Sequence, residues 1–199
     1  MIEILLALGV TAIGICSIMV LFPIGANASR DAAMETYGAN AADEVLHEIR
    51  YQASQDWSKI GDFDEISNDP LTPKLPDYNP NHAHFAFAPM SDSALANWEE
   101  TFYGNSKSII QSKTYKGTFL IISHKYGDKS DIKPEDIAPE EIDSSAILYI
   151  TKEKIDINGN KVNFNYGARL HAELSWPASL NYTLRKKAYY VMDIYKSQN

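Results

Sequence analysis

Residues 2–25 read IEILLALGVTAIGICSIMVLFPIG, and no side chain between Glu3 and Arg30 carries a charge. About 20 consecutive apolar residues are enough for a helix to cross a bilayer core, and residues 4–29 exceed that length. Three features need explaining: the carboxylate of Glu3 at the front, and Pro23 and Gly25 near the far end. A cleavable secretory signal would account for Ala26-Asn27-Ala28, which looks like an A-x-A cleavage site. It would not account for an n-region that carries Glu3 and lacks Lys and Arg, or for a run longer than the usual h-region.

A plain single-pass anchor explains the hydrophobicity but not the details. A carboxylate near a membrane span is costly unless it reaches the interface or finds a partner. An anchor also carries Lys or Arg on its cytoplasmic flank, and Met1-Ile2 supplies neither. Under this reading Pro23 and Gly25 mark the interfacial end of the anchor helix.

The same residues resemble the N-terminal signature of the type IV pilin and pseudopilin family. The match is Met1-Ile2-Glu3-Ile4-Leu5-Leu6-Ala7-Leu8-Gly9, followed by Ala12-Ile13-Gly14, and it covers about the first 30 residues. The family pattern is a Gly-ended leader, an N-methylated aromatic residue, and then a Glu that opens a long apolar helix. Against that pattern the chain begins two positions inside the family's mature start, and Pro23 lies slightly beyond the family's commonest proline. The stretch Leu21-Phe22-Pro23-Ile24-Gly25-Ala26 is closer to minor pilins and general-secretion pseudopilins.

The resemblance implies a structural subunit and not an enzyme, with no cofactor and no metal. It implies that Glu3 serves assembly, pairing with the terminal amino group of a neighbouring subunit in a homo-oligomeric helical filament. The subunit would wait in the inner membrane, and pilus or secretion machinery would extract it into a cell-surface filament or a periplasmic pseudopilus. Glu3 also suits the positive end of the helix dipole. Pro23 removes a backbone donor and Gly25 adds freedom, so together they predict a helix break.

Beyond Gly25 the pattern changes. Met34, Tyr37, Ala41, Val45, Ile49 and Ala53 recur every three or four residues, which predicts one buried stripe. Asp31, Glu35, Asp43, Glu44 and Arg50 lie off it. A helix that is apolar all round at first and amphipathic later is the pilin layout. The stripe is therefore expected to form the helix-to-sheet packing, with residues 1–57 as helix and 58–199 as a β-rich head.

Within the head, Pro70, Pro73, Pro76 and Pro80 predict an irregular connection. Strands are expected at residues 84–87, 118–122 and 146–150, with an acidic surface loop between Asp128 and Asp143. Asn158-Gly159, flanked by 154–156 and 161–164, predicts a hairpin turn. Residues 169–176 alternate, placing Leu170, Ala172, Leu174 and Trp176 on one face before Pro177, and residues 188–195 supply a last strand. The expected class is α+β, a long helix packed on a C-terminal antiparallel sheet.

Charge and motifs narrow the function further. A net charge of −8 argues against general binding to nucleic acid backbones or anionic lipid, which needs clustered Lys and Arg. Cys16 is the only cysteine, so no intrachain disulfide forms. His82 and His84 share a strand face but lack the further ligands of a zinc site. Asp156, Asn158 and Asn160 resemble the start of a calcium loop, yet Gly159 is misplaced for one. Calcium sites in some pseudopilins leave the acidic residues Asp62, Asp64 and Glu65, and the loop from Asp128 to Asp143, open as candidates. Tyr189, Tyr190 and Tyr195 read as packing and rim residues. No nucleophile-elbow, Walker or Rossmann motif occurs. The alternative of a different class is a membrane-anchored cell-envelope enzyme or ligand-binding domain.

Overall fold

A computed structural model describes residues 2–66, 98–100, 108–113, 115–124 and 142–197. The expected strand at 84–87, His82, His84, the proline-rich connection and the acidic loop up to residue 141 lie outside the described residues. The chain divides into two units, Met1–Thr36 and Tyr37–Asn199. One helix, α1 (Ile2–Gln55), contributes to both. The division falls inside the helix. The reason is that the helical residues from Tyr37 onward share their core with strands.

The first unit holds the uncharged run. The break expected at Pro23 and Gly25 is absent in the single chain, where α1 is helical through both residues. A proline deletes only its own donor, so the helix loses the bond that would reach the Met19 carbonyl and keeps its neighbours.

Among the described residues the second unit is built on a seven-stranded sheet. Its members are β1 (Asp64–Glu65), β2 (Trp98–Glu100), β3 (Ile109–Ser112), β4 (Thr118–His124), β5 (Ile142–Glu153), β8 (Gly167–Trp176) and β9 (Lys186–Tyr195). The order β2-β3-β4-β5-β8-β9 is antiparallel throughout. A separate hairpin of β6 (Asp156–Ile157) and β7 (Asn160–Lys161) stands between β5 and β8. β1 departs from the antiparallel expectation: it pairs parallel with β5, at Thr151 and Lys152, beyond the last β4 partner, Tyr149.

The register explains the burial. Phe119, Leu148 and Leu174 fall on one face of the sheet, whereas Leu120, Ile147 and Ser175 fall on the other. The first face meets the helix. Tyr37 donates its hydroxyl to the Ile122 carbonyl at 3.3 Å, and Gly38 lies so close to Leu174 that an added Cβ would sit 2.5 Å from its Cδ2. Ala41, Ala42, Val45, Leu46, Ile49 and Ala53 are buried on this side of α1. The second face holds its own apolar cluster of Trp98, Ile110, Leu120, Ile122, Ile142, Ile147 and Ala178. β5 is therefore buried on both faces along Ala146–Ile150. An unbroken apolar run suits such a central strand.

The end of α1 is tied to the sheet by polar contacts. Asp56 caps the short 3-10 helix Trp57–Asp62, accepting the Ser58 hydroxyl and amide, and these bonds, the hydroxyl's first, hold its carboxyl below the usual range. The Lys152 ammonium donates to the Ile60 and Gly61 carbonyls at 2.9 and 3.0 Å, and Trp57 Nε1 donates to the Phe164 carbonyl at 2.7 Å.

Candidate functional site

The first unit is the strongest candidate, because it presents what a folded chain ordinarily hides. Every described side chain from Ile2 to Arg30 is exposed. Ile4, Leu8, Ile13, Ile18, Phe22 and Ile24 are each 60–78% exposed, though they point in all directions around the helix. A helix apolar on all sides is buried in a large core or in a membrane, and this one is long and apolar enough to cross a membrane. At about 1.5 Å per residue, residues 4–29 extend about 39 Å, against a hydrocarbon thickness of about 30 Å.

Its polar groups are arranged for an environment without water. Thr11 Oγ1 donates to the Ala7 carbonyl at 2.8 Å and Ser17 Oγ to the Ile13 carbonyl at 2.9 Å. Both hydroxyls are thereby satisfied within the helix. Glu3 occupies the first turn and is exposed. Cys16 is a free, exposed thiol. Gly9, Gly14 and Gly25 have no atom within 4 Å of an added Cβ, so the near surface of the helix is open at all of them.

The stripe residues stand elsewhere. Met34 is 3% exposed and belongs to the first unit, whereas Tyr37, half-buried, and Ala41, Val45 and Ile49, all buried, belong to the second. Glu3, Pro23 and Gly25 are thus not brought together with the stripe into one cluster; they are successive stations along one helix.

Three of the acidic candidates, Asp64, Glu65 and Asp156, hold partners of their own. Asp64 accepts the Tyr149 hydroxyl at 2.8 Å, and burial followed by this bond pushes the Tyr149 phenol far above its ordinary value. Glu65 faces the Lys154 ammonium at 3.8 Å. Asp156 accepts the Gly159 amide inside the hairpin turn. Among the described residues no group of three or more His, Cys, Asp or Glu side chains could hold a metal ion. Tyr189 and Tyr195 are exposed on one face of β9, and Tyr190 is half-buried on the other.

A buried polar network escaped the sequence reading. Glu173 and Ser175, opposite the alternating apolar face of β8, are 4% and 0% exposed. Tyr182 donates its hydroxyl to Glu173 at 2.8 Å, and Arg185 donates Nε to the Leu180 carbonyl at 2.9 Å. Burial first, then the negative Glu173, drives the Tyr182 phenol far up, while burial lowers the Arg185 guanidinium. The Lys187 ammonium sits 3.6 Å above the Tyr182 ring centre. The bonds of Tyr182 and Arg185 pin the connection between β8 and β9 onto the sheet. Nothing local marks the network, because Glu173 takes one of the polar positions of the alternation, between His171 and Ser175.

Comparison with protein-family models, with curated proteins and with solved structures finds no match.

Proposed function

We propose that the chain is a structural subunit that polymerises through its apolar N-terminal helix into a filament of the type IV pilus or pseudopilus kind. The observation that carries this reading is the contrast within α1. Residues 2–30 expose apolar side chains all round, while Ala41, Val45 and Ile49 are buried in the second unit. A membrane alone would accept such a helix. It would give no use to Glu3, which needs a partner at or near the bilayer, and a neighbouring subunit's terminal amine supplies one. Exchange from lipid into a bundle of identical helices is feasible because the apolar surface never enters water. Pro23 and Gly25, helical in the single chain, are then the points where α1 loosens to fit the crowded bundle. The resemblance of the first 30 residues to the pilin signature supports the same reading, as does a helix followed by an antiparallel head.

The test is a deletion of residues 1–28. The remaining chain is expected to be soluble, folded and monomeric, and to form no fibres under conditions in which the full chain does, as judged by electron microscopy. In the full chain, Glu3→Ala and Glu3→Lys are expected to insert into membranes and keep a folded head while failing to assemble. Fibres from the truncated chain would overturn the helical-core account, and normal fibres from both Glu3 variants would remove Glu3 from assembly. An anchored enzyme or ligand-binding domain would instead keep its activity without residues 1–28.

A further inference from the structure

The β6–β7 hairpin carries a reactive dipeptide that assembly does not use. Asn158-Gly159 is the one Asn-Gly pair in the sequence, and both residues are exposed at the turn between Ile157 and Asn160. Asn158 has φ 55° and Gly159 φ 81°, the double left-handed geometry of a tight two-residue turn. The Gly159 amide donates to Asp156 Oδ1 at 2.8 Å. We propose that Asn158 is the chain's site of spontaneous deamidation, and that Asp156 is a positioning residue that keeps the reaction slow while the turn is intact.

The chemistry is intramolecular. The Gly159 backbone nitrogen attacks the Asn158 side-chain carbonyl carbon, and a C–N bond forms as the side-chain amide leaves as ammonia. The nitrogen must give up its own proton in the process. Water then opens the five-membered imide at either carbonyl, yielding aspartate or isoaspartate, with no oxidant or cofactor required. Gly159 favours the attack because no side chain shields its nitrogen.

The hairpin opposes the same attack. The proton to be lost is held by a carboxylate, and removing it would leave an anionic nitrogen facing an anionic oxygen. The left-handed backbone at Asn158 also fixes the turn, so the nucleophile cannot swing freely toward the side chain. Conversion therefore requires the turn to open. Its isoaspartyl product would lengthen the main chain by one methylene and place a new negative charge beside Asp156. Neither change suits a two-residue turn.

The experiment follows deamidation of the full chain in mildly alkaline buffer, by peptide mass spectrometry across residues 155–161 and by an isoaspartate-specific methylation assay. The folded wild-type chain is expected to convert several-fold more slowly than the same chain in urea. Folded Asp156→Ala should approach the unfolded rate, whereas Asp156→Asn, which keeps an acceptor oxygen, should stay close to wild type. In urea all three should convert alike, which separates a local effect from a change in intrinsic reactivity. Circular dichroism checks that each variant retains its sheet. Equal rates for folded and unfolded wild type would overturn the protective role of the turn. An Asp156→Ala rate equal to that of folded wild type, or fast conversion of Asp156→Asn, would overturn the hydrogen-bond account. Faster conversion at any other asparagine would overturn the site.

Discussion

Two apolar stretches of this chain have opposite surroundings. In β5, Ala146, Ile147, Leu148 and Ile150 are 0% exposed and Tyr149 is 1% exposed. In the first half of α1, residues of the same chemistry, from Ile4 to Ile24, are 52–78% exposed. Hydrophobicity alone does not separate them. β5 sends its side chains alternately to two faces, and the chain supplies a helix for one face and an apolar cluster on the other. The helix turns its side chains through every direction, and no described part of the chain covers them. The first stretch stabilises the fold of its own chain. The second is covered by no described part of the chain, and we propose that lipid or other chains supply its burial.

The same substitution in the two stretches should break the comparison most sharply. Leu174 is fully buried against Gly38, and Leu8 is 62% exposed. Leu174→Ala is expected to lower the unfolding free energy of the second unit by about 2–5 kcal/mol, the range for a buried leucine that leaves a cavity. Leu8→Ala should leave that unfolding unchanged and act only on membrane partition or assembly. Denaturant titration of both variants in detergent measures the difference. Equal losses would mean that the two regions form one cooperative core.

Glycines give a smaller contrast of the same kind. At Gly117 an added Cβ would lie 2.5 Å from the Ile150 carbonyl oxygen, a backbone atom of the central strand that cannot step aside. Gly117 also accepts the Ile150 amide at 2.7 Å. Gly117→Ala should therefore cost about 1–3 kcal/mol, as overpacked sites do. Gly14→Ala meets no atom and should favour the helix by up to about 1 kcal/mol. Thermal unfolding of the second unit reads the first, and helicity of a peptide spanning residues 2–30 in micelles reads the second. A stabilised Gly117→Ala would show that β4 and β5 can separate without penalty.

How far the sequence carried depends on whether the signal was local. The helix was legible because its periodicity runs for tens of residues, and β4, β5, β8 and β9 because each is a long apolar or alternating run. The Asn158-Gly159 turn was legible from its dipeptide alone. β1, β2 and β3 were not: Asp64–Glu65 has no apolar residue, Trp98–Glu100 has one, and Ile109–Ser112 is too short to show a period. They are strands because neighbours pair with them, which is a tertiary fact. The buried side chain of Glu173 was hidden for the same reason, since Tyr182 and Arg185 reach it only after the chain turns back. The break at Pro23 and Gly25 is an expectation for the assembled state; in the single chain α1 is helical through both, since a proline deletes only its own donor. Ala42 and Leu46, next to the predicted stripe, are buried because the sheet covers a wider arc of α1 than a single row.

The smallest expected effect sharpens the comparison at the surface of the second unit. Arg169 and Asp193 are directly paired across β8 and β9. The guanidinium donates Nε to Oδ1 at 2.7 Å and Nη2 to Oδ2 at 3.0 Å. These bonds hold the Asp193 carboxyl below its ordinary value of 3.8, with burial opposing them. The sign follows from that depression. Above the ordinary value the carboxylate is charged in both the folded and unfolded chain, and the pair contributes in full. As pH falls through the lowered value of the folded state, Asp193 protonates and the contribution is lost. The side chains are 36% and 32% exposed, so solvent screens the pair, and Asp193→Asn should cost less than about 1 kcal/mol at neutral pH. The cost should shrink in high salt and vanish in strong acid, where wild type and variant should unfold alike. Unfolding curves for both chains across the acid range measure this. A difference that persisted below the carboxylate range would mean that Asp193 acts through the packing of β9 and not through its charge.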